Sequence, residues 1–246
     1  ELIKTNRSSL DLSNYRQCYE IVNDIKPDWI INSGAYTSVD KAEEEKVLSM
    51  QINALAPKAF SKALLNTGGK ILQISTDFVF SGQNNKAYLE SDTTSPLNFY
   101  GFSKAEGEKN ISNILSNQNQ SIILRTSWLI GSTGNNFART IISLLKQKKE
   151  LNVVSDQIGC PTSAYSLSEA CWSIIFNNAL FLSGNKDTPL ILHWTDEGVA
   201  SWYDISIAIQ EICEELEIIK SNAKIKPISS NEYPSIAKRP NFSLLD

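Results

Sequence analysis

Along the first two-thirds of the chain, short apolar runs alternate with longer stretches in which apolar residues recur every three to four positions. That rhythm predicts strands alternating with helices, and hence βαβ units on a parallel sheet. Leu2 and Ile3 read as the tail of a strand. Ser13 is placed to cap a helix carrying Tyr15, Cys18, Tyr19, Val22 and Ile25 at helical spacing, with Pro27 beyond its end. Trp29-Ile30-Ile31 follows as a buried strand, and residues 39–67 form a long helical stretch, interrupted near Pro57 and closed by Gly68-Gly69. Residues 70–75 are the next strand, 100–115 a helix and 122–124 another strand.

Beyond about residue 130 the rhythm loosens into helices near 137–146, 167–177 and 202–216, with short strands at 151–154 and 190–193. The fold class is therefore α/β, a doubly wound parallel sheet with a smaller α+β lobe at its carboxyl edge. We divide the chain into a cofactor-binding domain, 1–130, and a mainly substrate-binding lobe, 131–246, from which segments can return to the first domain.

Composition narrows the partners more than it changes the fold. The 246 residues are 41% hydrophobic and 20% charged, with 27 acidic and 23 basic side chains giving a formal charge of −4. No basic stripe suits a phosphate backbone, so nucleic acid is not an expected partner. Cys18, Cys160, Cys171 and Cys213 form neither a zinc pattern nor a disulfide framework, which fits the reducing cytoplasm. No run reaches the roughly 18 apolar residues that span a bilayer, and no charged-then-apolar segment opens the chain.

The chemistry concentrates in Ile74-Ser75-Thr76-Asp77-Phe78-Val79-Phe80 and, some twenty residues on, Tyr100-Gly101-Phe102-Ser103-Lys104. A strand ending in Ser-Thr-Asp delivers hydroxyls and a carboxylate to the sheet edge where α/β proteins hold ligands. Tyr100 and Lys104 lie one helical turn apart on one face. An ammonium beside a phenol favours the phenolate and lowers its pKa, and Thr76 can bond the same substrate oxygen. Tyr-x-x-x-Lys alone is a weak signal among eight tyrosines. Its place after the Ser-Thr-Asp strand strengthens it.

These features resemble the extended short-chain dehydrogenase/reductase superfamily, and finer blocks resemble its dTDP-4-dehydrorhamnose reductase family. They are Asn32-Ser33-Gly34-Ala35-Tyr36-Thr37-Ser38-Val39-Asp40-Lys41-Ala42-Glu43, Ser75-Thr76-Asp77-Phe78-Val79-Phe80-Ser81-Gly82, Ser95-Pro96-Leu97-Asn98-Phe99-Tyr100-Gly101, Arg125-Thr126-Ser127-Trp128, Gly134-Asn135-Asn136-Phe137, Asp156-Gln157-Ile158-Gly159-Cys160-Pro161-Thr162 and Arg239-Pro240-Asn241-Phe242-Ser243-Leu244. The resemblance implies a Rossmann-like fold and reduction of the C4 ketone of a dTDP-sugar by NADPH or NADH. In that role Tyr100 supplies the proton, Lys104 binds the nicotinamide ribose and Thr76 bonds the reacting oxygen. It also implies that Asp11 and Leu12 lie beside the cofactor's adenine, Ala35, Tyr36 and Thr37 along its phosphates and ribose, and Ile74 under its nicotinamide half. Thr76, Asp77 and Trp128 become substrate contacts. A homodimer, and in some relatives a magnesium ion for which no ligands can be matched here, belong to the same implication.

Several residues read more plainly. His193, alone in an apolar run, reads as a satisfied structural residue. Cys160 reads as a packing substitution, Glu43-Glu44-Glu45 as a solvated helix face, and Trp29, Trp172, Trp194 and Trp202 as core or lobe-interface residues. The family's opening strand, Gly-x-x-Gly-x-x-Gly turn and first helix are not among these residues, so the expectation is a fragment, with the first βα unit absent and roughly thirty residues missing at each end. Without that turn the choice between NADH and NADPH stays open, Arg7 being one group able to pair with a 2′-phosphate. Two other functions compete: a non-catalytic regulatory subunit resembling the methionine adenosyltransferase β subunit, and an epimerase or dehydratase with retained NAD. Dehydratases place Asp-Glu after the strand-end Thr, where this chain has Asp77-Phe78.

Overall fold

A computed structural model describes residues 1–116, 119–177, 190–219 and 223–246. Helix α1 (Tyr15–Ile25) leads into β1 (Trp29–Asn32). Next come α2 (Val39–Ala42), α3 (Lys46–Met50), a π-helical turn at Gln51–Leu55, α4 (Ala56–Thr67), β2 (Lys70–Thr76) and a 3-10 turn at Asp77–Val79. Then follow α5 (Phe99–Ile114), β3 (Ser121–Thr126), β4 (Leu129–Ile130), α6 (Phe137–Gln147), β5 (Glu150–Val154), β6 (Ile158–Gly159) and β7 (Thr162–Ser163). The rest comprises α7 (Ala164–Phe176), β8 (Leu190–His193), β9 (Ala200–Ser201), α8 (Trp202–Glu215) and β10 (Lys224–Ile228).

The main sheet runs β1-β2-β3-β8 with every pair parallel. Its strands are apolar on both faces because both are covered. One face carries α1, α4 and α5, joined through Cys18, Val22, Phe60, Leu64, Ile71 and Ile111. Against the other lies α7, whose Leu167, Cys171 and Ile174 meet Leu72, Ile122 and Leu124. This is the doubly wound, Rossmann-like arrangement. Residues 164–176 and 190–193, expected in the second lobe, return to the first sheet. Local periodicity carries no record of which strand a run will pair with.

The smaller lobe packs α6 and α8 on the parallel pair β5 and β10 through Ile141, Leu145, Leu151, Val153, Cys213 and Ile225. Two short pairs, β4 with β7 and β6 with β9, lie between lobe and sheet in sequence.

Other local expectations need correction. Leu2 and Ile3 are exposed and form no strand. Asn14, not Ser13, caps α1, accepting from Gln17 N at 3.0 Å, while Ser13 bonds back to Asp11. The stretch 39–67 breaks at residues 43–45, and near Pro57 it leaves α-geometry in the π-helical turn Gln51–Leu55 without breaking. That proline sits in the first turn of α4, where its missing N–H goes unused.

Behind the sheet edge lies a buried ion pair. Arg125 of β3 grips Glu108 of α5 with Nη2 to Oε2 at 2.7 Å and Nε to Oε1 at 3.1 Å, and Ser75 of β2 donates to Oε1 at 2.5 Å. The guanidinium also lies over the Phe80 ring and donates to the Glu90 carbonyl. Removing one partner strands the other charge away from water. We expect Glu108→Gln to lower stability by about 3–5 kcal/mol in urea titrations, and an unchanged midpoint would show that the pair is energetically idle.

Candidate active site

Strand β2 ends at Thr76 and turns at once into the 3-10 turn, whose first amides Thr76 caps by accepting from Phe78 N at 3.2 Å. The start of α5 presses on this turn. A Cβ on Gly101 would sit 2.1 Å from the Phe78 carbonyl oxygen, so only glycine lets the two backbones approach this closely. The approach brings the Tyr100 ring edge-on to Phe78, with centroids 5.6 Å apart, and sets the Thr76 hydroxyl beside the phenol. One turn along α5, the buried Lys104 ammonium donates to the Ile74 carbonyl at 2.7 Å.

Desolvation dominates the electrostatics of this cluster. Burial pushes the Tyr100 phenol up to about 12, the Asp77 charge adding to the rise while Thr76 opposes it. Burial lowers Lys104 to about 8, against the nearby Glu108 carboxylate. The expected depression of the Tyr100 pKa by Lys104 is therefore not what this geometry produces: the ammonium is engaged by the Ile74 carbonyl, and burial governs the phenol. Asp77 is almost wholly buried and accepts from Thr76 Oγ1 at 3.0 Å, while its Oδ2 has no hydrogen-bond partner among the described residues. Burial still raises its carboxyl to about 6, with Ser243 and Thr76 pulling the other way.

The loop after β1 is pinned to this cluster by Asn53, which the π-helical turn directs inward. Its Oδ1 accepts Tyr36 N at 2.8 Å, and its Nδ2 donates to Tyr36 O at 3.0 Å and to Ser103 Oγ at 2.9 Å. Ala35, Tyr36 and Thr37 are thereby held beside the tyrosine-bearing helix, and Tyr36 donates to Glu45 Oε2 at 2.9 Å. Leu12 packs against Gly34 at the root of the loop, where an added Cβ would come within 2.6 Å of its Cδ1. Asp11 turns its carboxylate to the backbone and hydroxyl of Ser13, which lower its pKa.

A cleft of about 790 Å³ opens between this cluster and the smaller lobe, lined among others by Phe78, Trp128, Trp202, Arg239 and Ser243. Trp128 lines it together with Phe78, the ring on which Tyr100 packs edge-on. Its backbone is left-handed at φ 45°, and its ring stacks on Trp202 with centroids 3.6 Å apart. A Cβ on Gly159 would meet the indole at 2.6 Å, so that glycine makes room for the ring.

The plainer readings fare unevenly. Cys160 is buried and its thiol is pushed up by that burial, as suits a packing residue. His193 is not satisfied: neither ring nitrogen makes a hydrogen bond, and burial lowers its pKa. Trp202 lines the cleft, while Trp172 and Trp194 are partly exposed. Glu43 turns inward to α5, leaving only its neighbours as a solvated face. Asn53 carries no singular sequence signal, whereas Glu108 lies a helical turn beyond Lys104 and Ser243 falls in the block that begins at Arg239-Pro240. Among the described residues no group of three or more His, Cys, Asp or Glu side chains could hold a metal ion.

Asp77 yields a test. The folded chain holds its proton more tightly than the unfolded chain does, so its contribution improves as pH falls from about 6 toward 3.8 and is least favourable above 6. Asp77→Asn should therefore raise stability at pH 7 by about 3 kcal/mol, the rise from 3.8 to about 6 counting about 1.4 kcal/mol per pKa unit, and the gain should vanish near pH 4. Denaturant titration of both proteins at the two pH values measures it, and equal stability at pH 7 would contradict it.

Comparison with known proteins identifies the family. The chain is 37% identical over 246 residues to a dTDP-4-dehydrorhamnose reductase of Aggregatibacter actinomycetemcomitans, covering 100% of this chain and 82% of the relative. It is also 37% identical over 237 residues to that of Escherichia coli K12, covering 96% and 77%. The crystal structure of dTDP-4-dehydrorhamnose reductase from Bacillus anthracis in complex with NADP superposes with a TM-score of 0.88 at 32% identity, over 100% of this chain and 81% of that one. Residues 1–246 match the family described as RmlD substrate binding domain throughout, and the chain belongs to that family.

Proposed function

We propose that the protein reduces the C4 ketone of dTDP-4-dehydro-β-L-rhamnose to dTDP-β-L-rhamnose, a step toward activated rhamnose for cell-surface polysaccharide. The observation that carries this reading is the half-buried Tyr100 phenol, set beside Thr76 and one turn before a buried lysine. Relatives of high coverage bear the name of this reductase.

The donor set suits a nicotinamide cofactor. A lysine ammonium and a pinned backbone loop, 35–37, flank the carboxyl ends of β1 and β2, where doubly wound sheets bind dinucleotides. Lys104 would hold the ribose, Ala35, Tyr36 and Thr37 the phosphates and ribose, Ile74 the floor of the nicotinamide half, and Asp11 and Leu12 the adenine end. The bound cofactor supplies hydride to C4. NADP in the Bacillus anthracis relative favours NADPH as the partner.

Tyr100 then delivers its proton to the ketone oxygen. With its pKa near 12 the phenol is fully protonated at neutral pH, which is the form a proton donor needs. We assign Thr76 to the same oxygen, and its hydrogen-bond partner Asp77 and Trp128 to the substrate, Trp128 offering a flat apolar wall to the sugar. We assign residues 1–130 with their returning segments to cofactor and chemistry, and the smaller lobe to the nucleotide. We place the reaction in the cytoplasm, consistent with four free, buried cysteines.

NADPH oxidation by the full-length gene product with dTDP-4-dehydrorhamnose tests the reading. Turnover should fall by about 10²–10⁴-fold in Tyr100→Phe, the usual worth of general acid catalysis, and a fully active mutant would refute it. Because Lys104 loses its proton near pH 8, activity should be level below that pH and decline above it. A profile flat to pH 10 would remove the ammonium from the mechanism.

A further inference from the structure

Residues 39–43 grip two separate parts of the molecule. Asp40 receives Arg239 in a two-pronged ion pair, Nη2 to Oδ2 at 2.6 Å and Nη1 to Oδ1 at 3.2 Å. It also accepts from the Ala237 amide and the Ser235 hydroxyl, each at 3.0 Å. Three residues on, Glu43 accepts the Phe99 amide, at the first residue of α5, at 2.8 Å. That N–H belongs to the set a helix cannot satisfy internally. Asn98 closes the triangle, accepting from Gly101 N at 2.8 Å and donating to the Lys238 carbonyl at 2.7 Å.

Asp40 and Glu43, three apart on a helical turn, share a face. Their two holds have different functions. Residues 235 and 237–241 line the large cleft, and the described lining includes Lys238 and the Asp40-paired Arg239 but no carboxylate, so the Lys238 charge, unpaired among the described residues, favours an anionic ligand. Residues 98–101 begin the helix that carries Tyr100. The Arg239 pair is close enough to lower the Asp40 carboxyl to about 2.

We propose that Asp40 and Glu43 form a positioning clamp that ties the cationic wall of the cleft to the start of α5, so that seating a nucleotide diphosphate on that wall fixes the Tyr100 phenol in place. Neither carboxylate touches the reacting atoms. Both act through the backbone they hold. The proposal rests on the reading of Tyr100 as proton donor.

Steady-state kinetics on the full-length protein and on Glu43→Ala, Glu43→Gln, Asp40→Asn and the Asp40→Asn/Glu43→Ala pair tests the clamp, with thermal melts confirming folding. Loss of a cap is worth about a factor of ten in an equilibrium, so Glu43→Ala should lose about tenfold in kcat with little change in KM for the sugar. Glu43→Gln, which keeps an acceptor oxygen, should restore most of it. Asp40→Asn should mainly raise KM, and the double variant should lose less than the product of the singles. A Gln variant as impaired as Ala, or strictly multiplicative losses, would overturn the clamp. So would wild-type kinetics in Glu43→Ala alongside an inactive Tyr100→Phe, which would leave the reductase reading intact.

Hydrogen exchange gives a readout independent of turnover. Binding of dTDP should slow the amides of residues 99–102 in the wild type but not in Asp40→Asn. Bound dTDP, seen as a rise in melting temperature, with no change at those amides would overturn the clamp alone. Failure of dTDP to bind would overturn clamp and function together.

Discussion

The buried pair between Arg125 and Glu108 is the constraint around which the rest of the structure is arranged. Neither charge has access to water, so each depends on the other and on Ser75 for its solvation. Satisfying both fixes three elements at once: β2, α5 and β3 take up the one relative position in which all the hydrogen bonds close. Thr76 follows Ser75, and Lys104 precedes Glu108 by a turn, so fixing the pair also fixes the chemistry one residue and one turn away. The apolar clusters on the two faces of the sheet supply most of the burial but tolerate small slippage. The ion pair does not.

The same desolvation shapes the titratable groups. Tyr100 and Asp77 are pushed upward and Lys104 downward, all toward their neutral forms. A reading based on the spacing of Tyr100 and Lys104 alone expects one charge to tune the other. The folded geometry shows that removal from water is the larger influence, with Glu108 the group that keeps Lys104 charged to about pH 8.

Much of the first sheet was legible because βαβ periodicity is local: the positions of β1, β2, α5 and β3 follow from runs of apolar residues. The membership of β8 was not, since pairing with β3 is decided across more than sixty residues. Thr76, Tyr100 and Lys104 were legible because strand-end and helix-turn spacing converge on one sheet edge. Asn53 and Glu43 were hidden for a common reason. Each looks ordinary in its own helix, and each acquires a role only when a distant backbone segment arrives. The π-helical turn that redirects Asn53 has no simple sequence signature.

Trp128 and Gly159 share one volume of space. A side chain at 159 of even one carbon would evict the indole, which its left-handed backbone and its stack on Trp202 leave few other places to go. Enlarging residue 159 therefore displaces the residue 128 side chain, and with it one wall of the cleft between the sheet and the smaller lobe.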